Sequence, residues 1–192
     1  MLVASGYARA LHHRCRVYYT TRDTRCFPAY HVVGSAVSNA EPSILHHVSI
    51  AAEWMARALS SSGYRADFSL ASLKEVDRFL EEQAPGGKPK RGGLLSKDFG
   101  NRLFSLGAYV GEVVRRQAGG QWEGDDGDPE AEVNVAVRLP DGGMVWPVQR
   151  VMKRCRNGEE DSVYAYGVVL TGSGTPLSLT ESEPEKPWWK FW

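Results

Sequence analysis

The chain has 192 residues, 42% of them hydrophobic, and its 23 basic and 23 acidic side chains leave no formal net charge. That length fits one domain with appendages, and the balanced charge argues against a dedicated nucleic-acid binder, which concentrates basic residues on one face. Three scattered cysteines, Cys15, Cys26 and Cys155, make no disulfide framework, and no run reaches the roughly 18 apolar residues that cross a bilayer.

Residues 1–40 hold five arginines, one acid (Asp23) and no lysine, with no sustained periodicity. They read as a poorly ordered basic arm, without the compact apolar core of a secretory signal. From "EPSILHHVSIAAEWMARALSSSG", Ile44, Leu45, Val48, Ala51, Ala52, Met55, Ala58 and Leu59 recur at helical spacing. Pro42 suits the first turn of that helix and Gly63 the position just past its end. A second helix is expected in "DFSLASLKEVDRFLEEQ", capped by Ser69, with Ser72 and Glu75 at capping-box spacing. Leu73, Val76 and Leu80 form its inner face, with Phe79 beside them. The basic loop "PGGKPKRGG" (85–93) ends it, since its glycines and prolines oppose regular structure. "SKDFGNRLFSLGAYVGEVVRRQAGG" gives a third helix with Leu103, Leu106, Val110, Val113 and Val114 as its stripe, stopped at Gly119 and Gly120.

The period then changes to two. In "EVNVAVRL", Val133, Val135, Val137 and Leu139 alternate with Glu132, Asn134, Ala136 and Arg138, as in a half-buried strand. "PDGG" (140–143) is a turn, and "MVWP" returns as the second arm of a hairpin spanning about 131–148. Trp122 is assigned to a further strand. Pro147 opens a short helix with Val148, Val151, Met152 and Cys155 inward and Arg150, Lys153, Arg154 and Arg156 outward. "DSVYAYGVVL" (161–170) fits helix and strand equally. From residue 172, Gly, Ser, Thr, Pro and Glu make a polar linker leading to "WWKFW". The expected architecture is α+β over 41–171: N-terminal helices on a small antiparallel sheet, with a short helix after it.

Few residues ask for chemistry. Gly107 and Gly111 lie one turn apart inside the third helix, each costing about 1 kcal/mol against alanine. Close packing of a neighbour explains such a cost; so does a shallow cleft made by Gly107, Tyr109, Gly111, Glu112 and Arg115, with Glu112 pairing to Arg115 or Arg116. His12, His13, Cys15, Cys26 and His31 are zinc-type ligands without zinc-type spacing. The acidic loop "EGDDGDPEAE" lacks the glycine and terminal glutamate of a calcium loop. Neither a phosphate loop nor a nucleophile elbow occurs. No metal or cofactor is assigned, and Cys155 is expected to be buried.

"GAYVGEVVRRQAGGQWE", followed by the Val-rich hairpin, "WP", a basic helix and "NGEEDSVYAY", resembles small uncharacterised bacterial α+β proteins over residues 64–170. The resemblance implies a fold and brings no catalytic residues. The aromatic segment Trp188, Trp189, Phe191 and Trp192 has three possible covers: a groove on its own domain, a groove on another protein, or a membrane interface. With lysines and no lipid-modification signal, membrane anchoring is the weakest of the three. Docking on a partner protein is the expectation, in a cytoplasmic, non-enzymatic interaction factor of the adaptor or immunity type. The alternative is a small enzyme or ligand-binding protein using the cleft.

Overall fold

A computed structural model describes residues 43–172; the basic arm and the segment carrying Trp188, Trp189, Phe191 and Trp192 lie outside the described residues. Helix α1 spans Ile44–Ser61. Ser43 caps it by accepting a hydrogen bond from the His46 amide, and Asp126 of the acidic loop accepts one from the Ile44 amide at 2.6 Å. Pro42 lies outside the described residues. At the other end the Tyr64 amide donates to Leu59 O and the Gly63 amide to Ser60 O. This double closure requires a positive φ, which Gly63 supplies at +84°.

A single 3₁₀ turn, Leu70–Ser72, leads into α2, Leu73–Gln83. The expected caps do not form. Neither Ser69 nor Ser72 makes a side-chain cap bond, because Ser72 already has helical backbone angles and its hydroxyl turns to Ser69 O and Tyr109. The inner face is as expected, with Leu73, Val76, Phe79 and Leu80 all buried. One further 3₁₀ turn, Pro85–Gly87, opens the basic loop.

Helix α3, Phe99–Ala118, is the centre of the molecule. Every residue from Leu103 to Gly111 is buried, so the helix is covered on all sides rather than along one stripe. Its small residues, Ser105, Gly107, Ala108 and Gly111, form faces that a search for large apolar side chains passes over. Two of the hydrophobic clusters meet on it: Leu59, Leu80, Leu106 and Val151 in one, Val48, Ala52, Ala108 and Val148 in the other.

Strand β1, Gln121–Glu123, confirms the assignment of Trp122. The next segment departs from expectation. Residues Ala131–Asn134 form a helical turn, α4, and only Ala136–Arg138 is strand, β2. The cause is local: Asp128 Oδ1 accepts from the Glu130 amide and Oδ2 from Asn134 Nδ2, giving the backbone a partner other than the sheet. Ala136, expected outward, is buried at 2% exposure. Strand β3 is Met144–Val145, and the antiparallel order β1-β2-β3 sets Val137 opposite both Trp122 and Val145. In the connecting turn the Gly142 amide donates to Leu139 O, with Gly142 at φ +89°.

Helix α5, Pro147–Asn157, starts at its proline as expected. Arg154, assigned to its outer face, is instead buried at 4% exposure against α2. The ambiguous segment 161–170 resolves as helix, α6, Val163–Leu170, capped by the Ser162 side chain. The architecture is α+β, helices around a small three-stranded antiparallel sheet.

Candidate functional site

The two glycines of α3 do not floor an open cleft. A Cβ on Gly107 would stand 2.5 Å from the Cα of Val148, at the start of α5. One on Gly111 would stand 2.1 Å from Trp122 Cη2 and 2.6 Å from Pro147 Cγ. The absence of side chains lets α5 and the β1 indole seat directly on the α3 backbone.

Glu112 sits at the edge of this contact with its side chain 13% exposed. Arg115 grips the carboxylate with two bonds of 2.8 Å, from Nε and Nη2. Arg116 Nε donates to the same group at 2.7 Å and Trp122 Nε1 at 3.3 Å. Burial pushes the Glu112 carboxyl up, but the hydrogen bonds from Arg115, Arg116 and Trp122 outweigh it and hold the pKa at about 2. At neutral pH the group therefore has no proton to give, and its lone pairs are already shared among three donors.

Arg116 extends the network. Its Nη2 reaches Glu53 on α1 at 3.3 Å, and its guanidinium lies 3.8 Å from the centre of the Phe68 ring. Phe68, at φ +57°, packs on Tyr109 with ring centres 4.9 Å apart. Tyr109 is wholly buried, and its Oη accepts from the Phe68 amide at 3.2 Å. Since Ser72 Oγ donates to Ser69 O, the 2.7 Å contact between the two hydroxyls has Tyr109 donating to Ser72. Burial raises the Tyr109 pKa, so the phenol keeps its proton.

The structure pairs Glu112 with both Arg115 and Arg116, joins Tyr109 to them through Phe68, and adds Glu53, Ser72 and Trp122, which the sequence did not indicate. The connections tie α1, the turn before α2, and β1 to the central helix. The "GAYVGEVVRR" spacing reveals the Glu–Arg pairs. Phe68 comes from a distant part of the chain, and Trp122, ten residues past Glu112, reaches it only because β1 folds back on α3.

A second network lies on the other side of α5. Asp77 Oδ1 accepts from Arg154 Nε at 2.9 Å and from the Val163 amide at 3.0 Å. Its Oδ2 accepts from Ser162 Oγ at 2.7 Å and the Tyr164 amide at 3.1 Å. One carboxylate on α2 therefore neutralises the buried arginine of α5 and caps α6.

Other candidates are placed as follows. Cys155 is buried, which pushes its thiol up to about 11 and leaves it unreactive as a nucleophile. In the acidic loop, Asp125 and Asp128 accept from nearby amides and Asp126 from Ile44, and among the described residues no group of His, Cys, Asp or Glu is set to hold a metal. His12, His13, Cys15, Cys26 and His31 lie outside the described residues. No described helix is long and apolar enough to cross a membrane. The chain matches no family model, no curated protein and no solved structure.

Proposed function

We propose that the protein is a cytoplasmic, non-enzymatic interaction factor whose body presents the aromatic segment Trp188, Trp189, Phe191 and Trp192 to a partner protein. The observation that carries this reading is that residues 43–172 complete their own core. Tyr109, Leu73, Leu95, Leu106 and Val113 are each 0% exposed and pack in one cluster of described residues. Among the described residues, the exposed large apolar side chains are Leu45, Ile50 and Leu94. The first two lie about 140° apart around α1, at 100° per residue, and the third is on the basic loop, so they form no groove for three indoles. Tryptophan is a frequent anchor at interfaces because it buries a large area at small entropic cost. A polar linker gives such an anchor freedom to find a groove on another protein.

The state of Glu112 supports the same reading. A carboxylate tied to two guanidiniums and an indole suits cross-bracing, and general acid–base work needs a pKa nearer the working pH. The rival enzyme or ligand-binding reading also needs an open surface beside Gly107 and Gly111, where Val148, Pro147 and Trp122 are packed.

Two baits test the proposal, the full chain and a chain ending at Lys186. A partner that binds the full chain directly, as purified protein, and loses about a hundredfold in affinity with the shorter chain is the expected result. Equal affinity for both baits would remove the aromatic segment from the interface.

A further inference from the structure

We infer that the basic loop between α2 and α3 is the seat of the chain's own acidic stretch, Glu181, Glu183 and Glu185. The inference concerns where that stretch is held, and it stands whether or not the aromatic residues beyond it take a partner.

Lys88, Lys90, Arg91 and Lys97 are all exposed, and the loop holds no acid between Ala84 and Lys97. Elsewhere the described part matches many of its cations: Arg78 with Glu75, Arg115 and Arg116 with Glu112, Arg138 with Glu123, Arg150 with Asp161, Arg154 with Asp77. None of the four loop cations has a carboxylate or ring partner among the described residues. The nearest acids on α2 are already engaged, Glu82 with Tyr64 and Arg78, and Glu81 with Arg154.

The loop is also built rather than loose. The Lys90 amide donates to Gln83 O at 2.7 Å, and Gln83 Oε1 accepts from the Leu94 amide at 3.0 Å. Successive turns follow at Lys90–Gly93 and Gly93–Ser96, and Leu95 is fully buried. Gly87 packs against the end of α5, where a Cβ would stand 3.2 Å from Cys155 O. The positive charges are therefore presented on a fixed frame, which lowers the entropic cost of binding an anionic segment.

The complement lies in the same chain. Residues 173–180 carry no charge, and Glu181, Glu183 and Glu185 follow at alternate positions, which share one side of an extended strand. A proline follows Glu183, and the residue before a proline is disfavoured in a helix. The distance is within reach. Leu73 packs on Gly167 and Asp77 on the start of α6, so α6 runs antiparallel to α2. The loop then lies past the far end of α2, about 15 Å beyond Leu73, and Leu170 lies about 5 Å to the other side of Leu73, so the span is about 20 Å at 1.5 Å per residue. Nine residues from Gly172 to Glu181 span up to about 30 Å. A tether this short gives an effective concentration of about millimolar, so the segment meets its own loop before that of another copy.

Carbodiimide coupling of the full chain tests this, since it joins a carboxylate to an amine only where they touch. Peptide mapping of the monomer should find Glu181, Glu183 or Glu185 joined to Lys88, Lys90 or Lys97 about tenfold more often than to Lys74 or Lys153, reflecting the local concentration. The preference should vanish in about 1 M salt, where the screening length falls to about 3 Å. The E181Q/E183Q/E185Q chain, with an unchanged melting temperature, should give none of these products. Coupling spread evenly over the lysines, or found only between copies, would overturn the inference.

Discussion

Glu112 is ionised at the expense of its neighbours' freedom, and the consequence is an acid-sensitive fold. Its folded pKa of about 2 lies below the ordinary carboxylate value. A group depressed in this way adds stability that is present above its unfolded pKa and lost as pH falls through the folded one. The loss is expected between roughly pH 4.5 and pH 2, and it amounts to at most about 3 kcal/mol, reduced by solvent screening at Arg115 and Arg116. Glu112→Gln should show lower stability at pH 7 by about 2 kcal/mol and a flatter acid limb in denaturant titrations across that window. A variant with an unchanged acid limb would mean the carboxylate is not held as described. The glycines of α3 give a second residue-scale expectation. Alanine favours a helix over glycine by about 1 kcal/mol, yet Gly107→Ala and Gly111→Ala should each destabilise by about 1–3 kcal/mol, because the new methyl meets Val148 or Trp122. Gly100, near the start of α3 with nothing within 4 Å of its Cβ position, is the control. Gly100→Ala should gain about 0.5–1 kcal/mol in the same urea titration. The sequence showed that Gly107 and Gly111 were costly; which neighbours pressed on them depended on how β1 brings Trp122 back over α3 and on Val148, 41 residues beyond Gly107.

Among the elements, the ones with large apolar residues at regular spacing were legible, and the short ones governed by side-chain hydrogen bonds were not. Helix α1 shows its stripe from Ile44 to Leu59, and α2 does so from Leu73 to Leu80. The run from Val133 to Leu139 alternates well enough to suggest strand throughout, but Asp128 captures Glu130 and Asn134 and bends its first half into α4. Helix α6 is apolar on nearly every side, so no period separates it from a strand. What decides it is Asp77, which accepts from both the Val163 and Tyr164 amides. Asp77→Ala should therefore leave the buried Arg154 with only its longer contact to Glu81 and cost about 3 kcal/mol. Native-state hydrogen exchange should speed up first at the amides of α6. Loss of stability without selective loss of protection there would contradict the capping role.

The whole molecule is a helical body with a small sheet, braced by two ionic networks on its central and flanking helices. Its fold class was readable because a helical period gives way to an alternating one between α3 and α5 and returns at Pro147. Its candidate cleft was not, because whether two glycines open a cavity or receive a neighbour depends on tertiary packing. Docking of the aromatic segment on a partner requires that the body be complete without it. Thermal unfolding of the full chain and of the chain ending at Lys186 measures this directly. Equal midpoints within about 2 °C are predicted, since about 1 kcal/mol moves the midpoint of a protein this size by roughly 2–4 °C. Three indoles sheltered by the body would each be worth about 3–5 kcal/mol, and a fall of more than about 10 °C on their removal would contradict the account.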